Sequence, residues 1–223
     1  MKTDKPSCIF CQSTQLYNVS KTQFRCATCH KTFSHAKYAT TRAILECFIH
    51  DKSALECSKE LSLNYATVTK LYQKSRLCIA SYLEILSQEH TKSFTQYDEY
   101  YFLPTKKRGN PQYLFDSIGI LGMLYDDYVY TLLLPDQFAH VKHLEDDSIE
   151  KITYARYLSH TKVAHFESFE TPLNHFWRYL ERWMEHFKGV TRENFIYYLK
   201  EAEFKFNHSK EEQYTILARY TLL

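Results

Sequence analysis

At 223 residues, 44% of them hydrophobic and 24% charged, the chain has room for one medium domain and one or two small modules. Its four glycines form no GxGxxG or Walker run, which argues against a nucleotide-binding fold built on glycine-rich loops, and no apolar run reaches bilayer length. With no signal-peptide h-region at Met1-Lys2-Thr3-Asp4, a soluble, cytoplasmic protein is expected. The net charge of +2 hides an asymmetry: residues 1–92 carry 13 Lys/Arg against 7 Asp/Glu, and residues 93–223 carry 15 against 19. A basic first part suits contact with phosphate backbones, although ordinary scatter of surface charge gives a similar excess.

The first module is marked by two CxxC pairs, Cys8-Ile-Phe-Cys11 and Cys26-Ala-Thr-Cys29. Each such turn delivers two thiolates, and four thiolates complete a tetrahedral Zn²⁺ site, so Cys8, Cys11, Cys26 and Cys29 are the expected ligands. Two disulfides are the alternative, which a reducing compartment disfavours. Short strands at 16–19 and 23–25 would make the module a zinc ribbon over residues 1–36. His30 follows a site already closed by four cysteines and reads as its flank. A closed four-thiolate site is structural and says nothing of catalysis.

A helical pattern follows from about Tyr38, with Ile44, Leu45, Phe48 and Ile49 at the spacing of one buried face. Ser53-Ala54-Leu55-Glu56 is a capping box, which starts a short helix at Ser53. The turn Ser62-Leu63-Asn64 leads to a third helix over 65–75. This is the order of a helix-turn-helix, here over residues 37–92. Val68 and Leu71 would face inward, and Tyr65, Thr67, Thr69, Lys70, Gln73 and Lys74 would face a major groove. A bundle used only for packing or dimerisation has the same pattern. Cys47, Cys57 and Cys78 read as small buried apolar residues. An amphipathic helix over 77–86 links to the remainder.

From residue 93 the pattern changes. Residues 96–102 read as a strand, and Lys106-Lys107-Arg108-Gly109 as a basic loop that touches DNA. Apolar runs over 114–124 and 128–134, separated by Asp126-Asp127, read as a hairpin beside it. The strand signal fades after residue 135. Helices are expected over 169–188 and 191–207, with Gly189 as the stop between them.

This order of parts resembles the smaller bacterial insertion-sequence transposases with an RNase-H-like DDE domain. The resemblance rests on the cysteine pairs, Asp98-Glu99 within the aromatic strand, and Lys107-Arg108-Gly109. It continues through Ser159-His160, Val163, His165 and Phe169, then Asn174-His175-Phe176-Trp177. It ends with Phe187-Lys188-Gly189-Val190 and Tyr198-Leu199-Lys200-Glu201 to Phe206-Asn207. In that family three acids hold two Mg²⁺ ions for in-line phosphoryl transfer. The resemblance puts Asp98 at the first acid and Asn174, a neutral residue, at the third. The second falls on Asp147 or Asp146 under one alignment and on Thr153 under another; Glu170 and Glu181 are nearby substitutes.

The fold class expected is therefore α+β: a zinc ribbon, a helix-turn-helix and, over residues 93–223, a shortened RNase-H-like mixed α/β domain. Two functions follow from the resemblance. One is a transposase that binds element ends in double-stranded DNA and cuts or transfers strands with Mg²⁺. The other is a catalytically inactive, transposase-derived DNA-binding protein that uses its core for packing or for self-association as a homodimer. Zn²⁺ and DNA belong to both, and no membrane to either.

Overall fold

The computed structural model describes residues 7–89, 95–108, 110–159 and 171–222. These residues form seven α-helices and two three-stranded sheets, an α+β chain. They gather into two compact units, one taking the chain up to Cys78 together with Lys210 onward, the other taking Ile79 to Ser209.

The first unit opens with an antiparallel meander of β1 (Leu16–Asn18), β2 (Phe24–Cys26) and β3 (Thr32–Phe33). Its small core is Cys8, Cys26 and Phe33, with Phe10, Leu16 and Phe24 against them. Helix α1 (His35–Ile49) starts earlier than its apolar spacing suggests, because the Ser34 hydroxyl accepts from the Lys37 N–H and caps it. Ile44, Leu45, Phe48 and Ile49 are buried as that spacing requires. Helix α2 (Ala54–Glu60) carries the expected capping box, Ser53 and Glu56 each bonding the other's backbone. Both helices end in the same way. The N–H of Lys52 returns to the Cys47 carbonyl at 3.1 Å and that of Leu63 to the Ser58 carbonyl at 2.9 Å. Asp51 (φ 62°) and Ser62 (φ 51°) hold the left-handed positions where glycine is the usual choice.

Helix α3 (Tyr65–Glu89) is continuous over 25 residues where two segments were expected, since neither Arg76 nor its neighbours break a helix. Its buried stripe is Val68, Tyr72, Ser75, Ile79 and Leu83. Leu71, expected inside, is half-buried; Tyr72 takes the place, packing edge-on to Phe48 at 5.0 Å and donating its hydroxyl to the Lys52 carbonyl at 2.9 Å. The two compact units divide inside α3, after Cys78. Helix α7 (Lys210–Thr221), within the stretch assigned from sequence to the third module, packs on α1 in the first unit, with Leu217 buried and Arg42 over the Tyr214 ring.

In the second unit β4 (Gln96–Phe102), β5 (Ile118–Tyr125) and β6 (Tyr128–Leu133) form an antiparallel sheet in that order. Asp126, at φ 53°, makes the tight hairpin between Tyr125 and Tyr128. The apolar run expected as one strand divides, Pro111–Asp116 coiling into a 3-10 segment before β5 begins. Helices α5 (Pro172–Glu185) and α6 (Arg192–Asn207), separated by Gly189 at φ 77°, pack on one face of this sheet. There Tyr100, Phe102, Ile120 and Val129 meet Phe176, Trp177, Leu180 and Leu199. On the other face Tyr101 packs with Phe115, Phe138 and Leu158, the last just after the short helix α4 (Ile149–Tyr157).

The free edge of β6 is closed by side chains. Asn207 accepts from the Val129 N–H at 3.0 Å and donates to its carbonyl at 2.6 Å. Two residues along, the Thr131 N–H donates to Glu203 at 3.0 Å while Lys200 Nζ donates to the Thr131 carbonyl at 2.7 Å and to Glu203 at 2.8 Å. Lys200, Glu203 and Asn207 stand at i, i+3 and i+7, one face of α6. The helix supplies the donors and acceptors that a further strand would have offered.

Candidate functional site

The cysteine cluster is built from two matching turns. In each, the residue after the second cysteine returns its N–H to the carbonyl of the first, Gln12 to Cys8 and His30 to Cys26, both at 3.0 Å. Gln12 (φ 61°) and His30 (φ 58°) are both left-handed, so His30 completes a turn and stands outside the ligand group. The four Sγ atoms lie within 4.8 Å of one another, with Cys8–Cys29 at 3.6 Å and Cys11–Cys26 at 3.5 Å. Tetrahedral thiolates at a Zn–S distance of about 2.3 Å would be about 3.8 Å apart, whereas a disulfide needs about 2.0 Å. The set therefore fits a metal ion such as zinc and does not fit two disulfides. The backbone N–H of Cys29, then that of Thr28 and the neighbouring thiols, outweigh desolvation and pull Cys26 down to about 6. Cys11 goes the other way, to about 12: its backbone bond from Ser13 is outweighed by desolvation and by the other three thiols.

Tyr65, Thr67, Thr69, Lys70, Gln73 and Lys74 are all exposed on the first half of α3. The buried side of the helix is set by Val68 and Tyr72, and the six spread around the rest of it; its start is held by Asn64, whose side chain accepts from the Ala66 N–H at 2.8 Å. Only the Thr69 hydroxyl is turned back on its own helix, to the Tyr65 carbonyl.

Asp98 lies half-buried on the β4 face that carries α5 and α6. The indole N–H of the fully buried Trp177 donates to its Oδ2 at 2.9 Å. That ring is seated over Gly122, the residue paired with Asp98 across the sheet; a methyl group there would come within 2.6 Å of it. Asn174, one turn before Trp177, is buried in the first turn of α5, where Thr171 caps its N–H. Glu181, one turn beyond, receives the Tyr100 hydroxyl and the Arg108 guanidinium. Burial, followed by that carboxylate, raises the Tyr100 hydroxyl well above its ordinary range.

Asp147 and Asp146 lie exposed in the turn before α4, which belongs to the opposite face of the sheet, and Asp146 is paired with Lys151 at 2.8 Å. Thr153 is within α4, its hydroxyl on the Ile149 carbonyl. The structure thus joins Asp98 to the helix of Asn174 and leaves Asp147 apart from both. Among the described residues the four cysteines are the one group of three or more His, Cys, Asp or Glu side chains close enough to share a metal. His160, Val163, His165, Phe169 and Glu170 fall outside the described residues.

Of the basic loop, Lys106 is exposed and Lys107 reaches Asp116 at 3.5 Å. Arg108 is turned inward, its Nε on the Leu103 carbonyl at 2.7 Å and its tip on Glu181. Sequence reasoning did not find the Trp177–Asp98 bond or the edge-closing trio of α6. No described helix is long and apolar enough to cross a membrane.

No family model matches the chain, and neither does any solved structure. A curated "Uncharacterized transposase-like protein" of Haemophilus influenzae is 30% identical over 93 residues, an alignment covering 41% of this chain and 70% of that protein. The chain belongs to the same transposase-like family as that protein.

Proposed function

We propose that the chain is a transposase-derived DNA-binding protein. The four cysteines hold one structural Zn²⁺, α2 and α3 form a helix-turn-helix, and the second unit is a shortened RNase-H-like domain. The observation that carries this reading is the solvent side of the first half of α3, where six polar or aromatic side chains are all exposed on a helix fixed from behind by Tyr72. Such a face, in a part of the chain with excess positive charge, suits a major groove: Lys70 and Lys74 for phosphates, Tyr65 and Gln73 for base edges.

The test is fluorescence anisotropy of the full chain on labelled duplex DNA across a salt series. Affinity should fall as salt rises, because Lys and Arg displace counterions. Lys70→Ala should weaken all sequences about equally, whereas Gln73→Ala or Tyr65→Ala should change site preference. Salt-independent binding, or none above background, would retire the reading.

A second reading, metal-dependent strand cleavage and transfer, is favoured by the bond that holds Asp98 in place through Trp177. The described residues do not assemble a Mg²⁺ site around it, since Asp147 lies beyond the other face and Asn174 brings no charge. A cleavage assay on end-containing DNA separates the readings: activity in the wild type that Asp98→Asn abolishes, with DNA binding intact, favours the second.

A further inference from the structure

We infer that the cavity at the C-terminal end of β4 is a nucleotide site, taking a phosphate on its cationic rim and a base against its apolar floor. The cavity has a volume of about 730 Å³, and it lies wholly within the second unit. That is within the range of about 300–1,000 Å³ usual for small-molecule sites.

Five cations line it: Lys106, Lys107, Lys142, Lys188 and Arg192. The three lining acids, Asp116, Glu181 and Glu185, do not balance them. Asp116 is shared between Lys107 at 3.5 Å and Lys142 at 3.7 Å, Glu181 is occupied by Arg108 from outside the lining, and Asp136, also outside it, pairs with Lys142 at 3.1 Å and Arg192 at 3.3 Å. Lys106 and Lys188, both exposed, make no ion pair among the described residues. Arg192, which opens α6, is held by Asp136, and Glu193 occupies the first turn of that helix, so the free positive charge of the rim is that of the two lysines. The two unpaired lysines, Lys106 and Lys188, suit a phosphate monoester or a short run of phosphodiesters.

The floor has a different character. Ile118, Phe187 and Val190 are half-buried and present apolar surface, backed by Phe102 and Phe195 with their rings 5.2 Å apart. Inorganic phosphate would leave that surface wet; a ligand joining phosphate to a flat ring covers both. Cations tracking phosphates beside aromatic side chains are how unpaired nucleotides are held. The inference rests on the DNA-binding reading for the source of such a nucleotide, an unpaired end of a bound strand, and not for its chemistry.

Two measurements on the full chain keep the inference and that reading apart. In the first, deoxyadenosine monophosphate is titrated into the protein by calorimetry, with inorganic phosphate at equal ionic strength as the comparison. Binding of the nucleotide, at least several-fold tighter than of phosphate, should be lost in Lys106→Gln/Lys188→Gln. Each lost charged hydrogen bond corresponds to roughly tenfold in affinity. In the second, a duplex with a four-nucleotide overhang should bind more tightly than its blunt counterpart. The double variant should erase that preference, while Lys70→Ala weakens both duplexes alike. Nucleotide binding without duplex binding would sink the DNA reading and leave the cavity standing. Absence of nucleotide binding, equal binding of phosphate, or binding unchanged in the double variant would overturn the inference, whatever the duplexes do.

Discussion

Asn207→Ala should cost the second unit about 2–4 kcal/mol and open one identifiable place. The side chain makes two bonds to a single residue, accepting from the Val129 N–H at 3.0 Å and donating to the Val129 carbonyl at 2.6 Å. Val129 is fully buried, so neither backbone group gains a full water partner when the amide is removed. A buried polar group left without a partner costs roughly 1–3 kcal/mol. Asn207 is only half-buried, and water entering from its side holds the sum toward the lower half of that range. Against a total stability of about 5–15 kcal/mol this is a large fraction. Urea unfolding reads the total, and amide hydrogen exchange reads the place. The Val129 amide should exchange about 30-fold faster or more for a loss of 2 kcal/mol, while Thr131, held by Glu203, changes less. A loss below about 0.5 kcal/mol, or equal acceleration at both amides, would show that α6 does not act as the cover of β6.

The purified chain should carry one zinc, and Cys26→Ser should lose both the metal and the β1–β3 meander, whose buried core among the described residues is Cys8, Cys26 and Phe33; elemental analysis finding no zinc, or zinc unaffected by the substitution, would refute this. Burial raises the Glu203 carboxyl above its ordinary value of 4.5, so the folded chain keeps a proton that the unfolded chain has lost. The corresponding stability is fully present below about 4.5 and is lost as pH rises through the folded value, so wild type should lose ground to Glu203→Gln over that interval in urea midpoints. Gly122→Ala places a methyl 2.6 Å and 2.8 Å from Trp177 ring carbons, and that ring, stacked on Tyr100, has no room to retreat. A loss of about 1–3 kcal/mol with a changed tryptophan emission is expected, and an unchanged midpoint would count against the packing described.

What was legible in the sequence is what local chemistry decides. The CxxC spacing gives the two cysteine turns, Ser53 and Glu56 give the start of α2, Gly189 gives the stop before α6, and Asp126-Asp127 gives the hairpin. What was not legible depends on distant partners. Lys200, Glu203 and Asn207 have the spacing of a solvated helix face, and only the unpaired edge of β6, about 70 residues earlier, draws them inward. Asp98 and Trp177 are 79 positions apart, so their bond leaves no periodic trace. The same holds for α7, whose charged opening, Lys210-Glu211-Glu212, gives no hint that it returns to α1. Helix α4 was missed for a local reason: its apolar side chains Ile149 and Ile152 are exposed, so they do not trace a buried stripe.

The buried charges of α6 clarify what kind of structure the second unit is. A buried ion pair can often be replaced by apolar residues of similar volume without loss, because its attraction barely offsets desolvation. Lys200 and Glu203 differ in one respect: each also bonds the backbone of Thr131, the lysine its carbonyl and the carboxylate its N–H. Replacing both by apolar side chains would relieve two buried charges and at the same time orphan two backbone groups of a fully buried residue. The pair is therefore tied to the sheet as well as to itself. With Asn207 it covers the outward backbone groups of Val129 and Thr131, the middle of the β6 edge that another chain would extend. A strand added to β6 would first have to displace these three side chains.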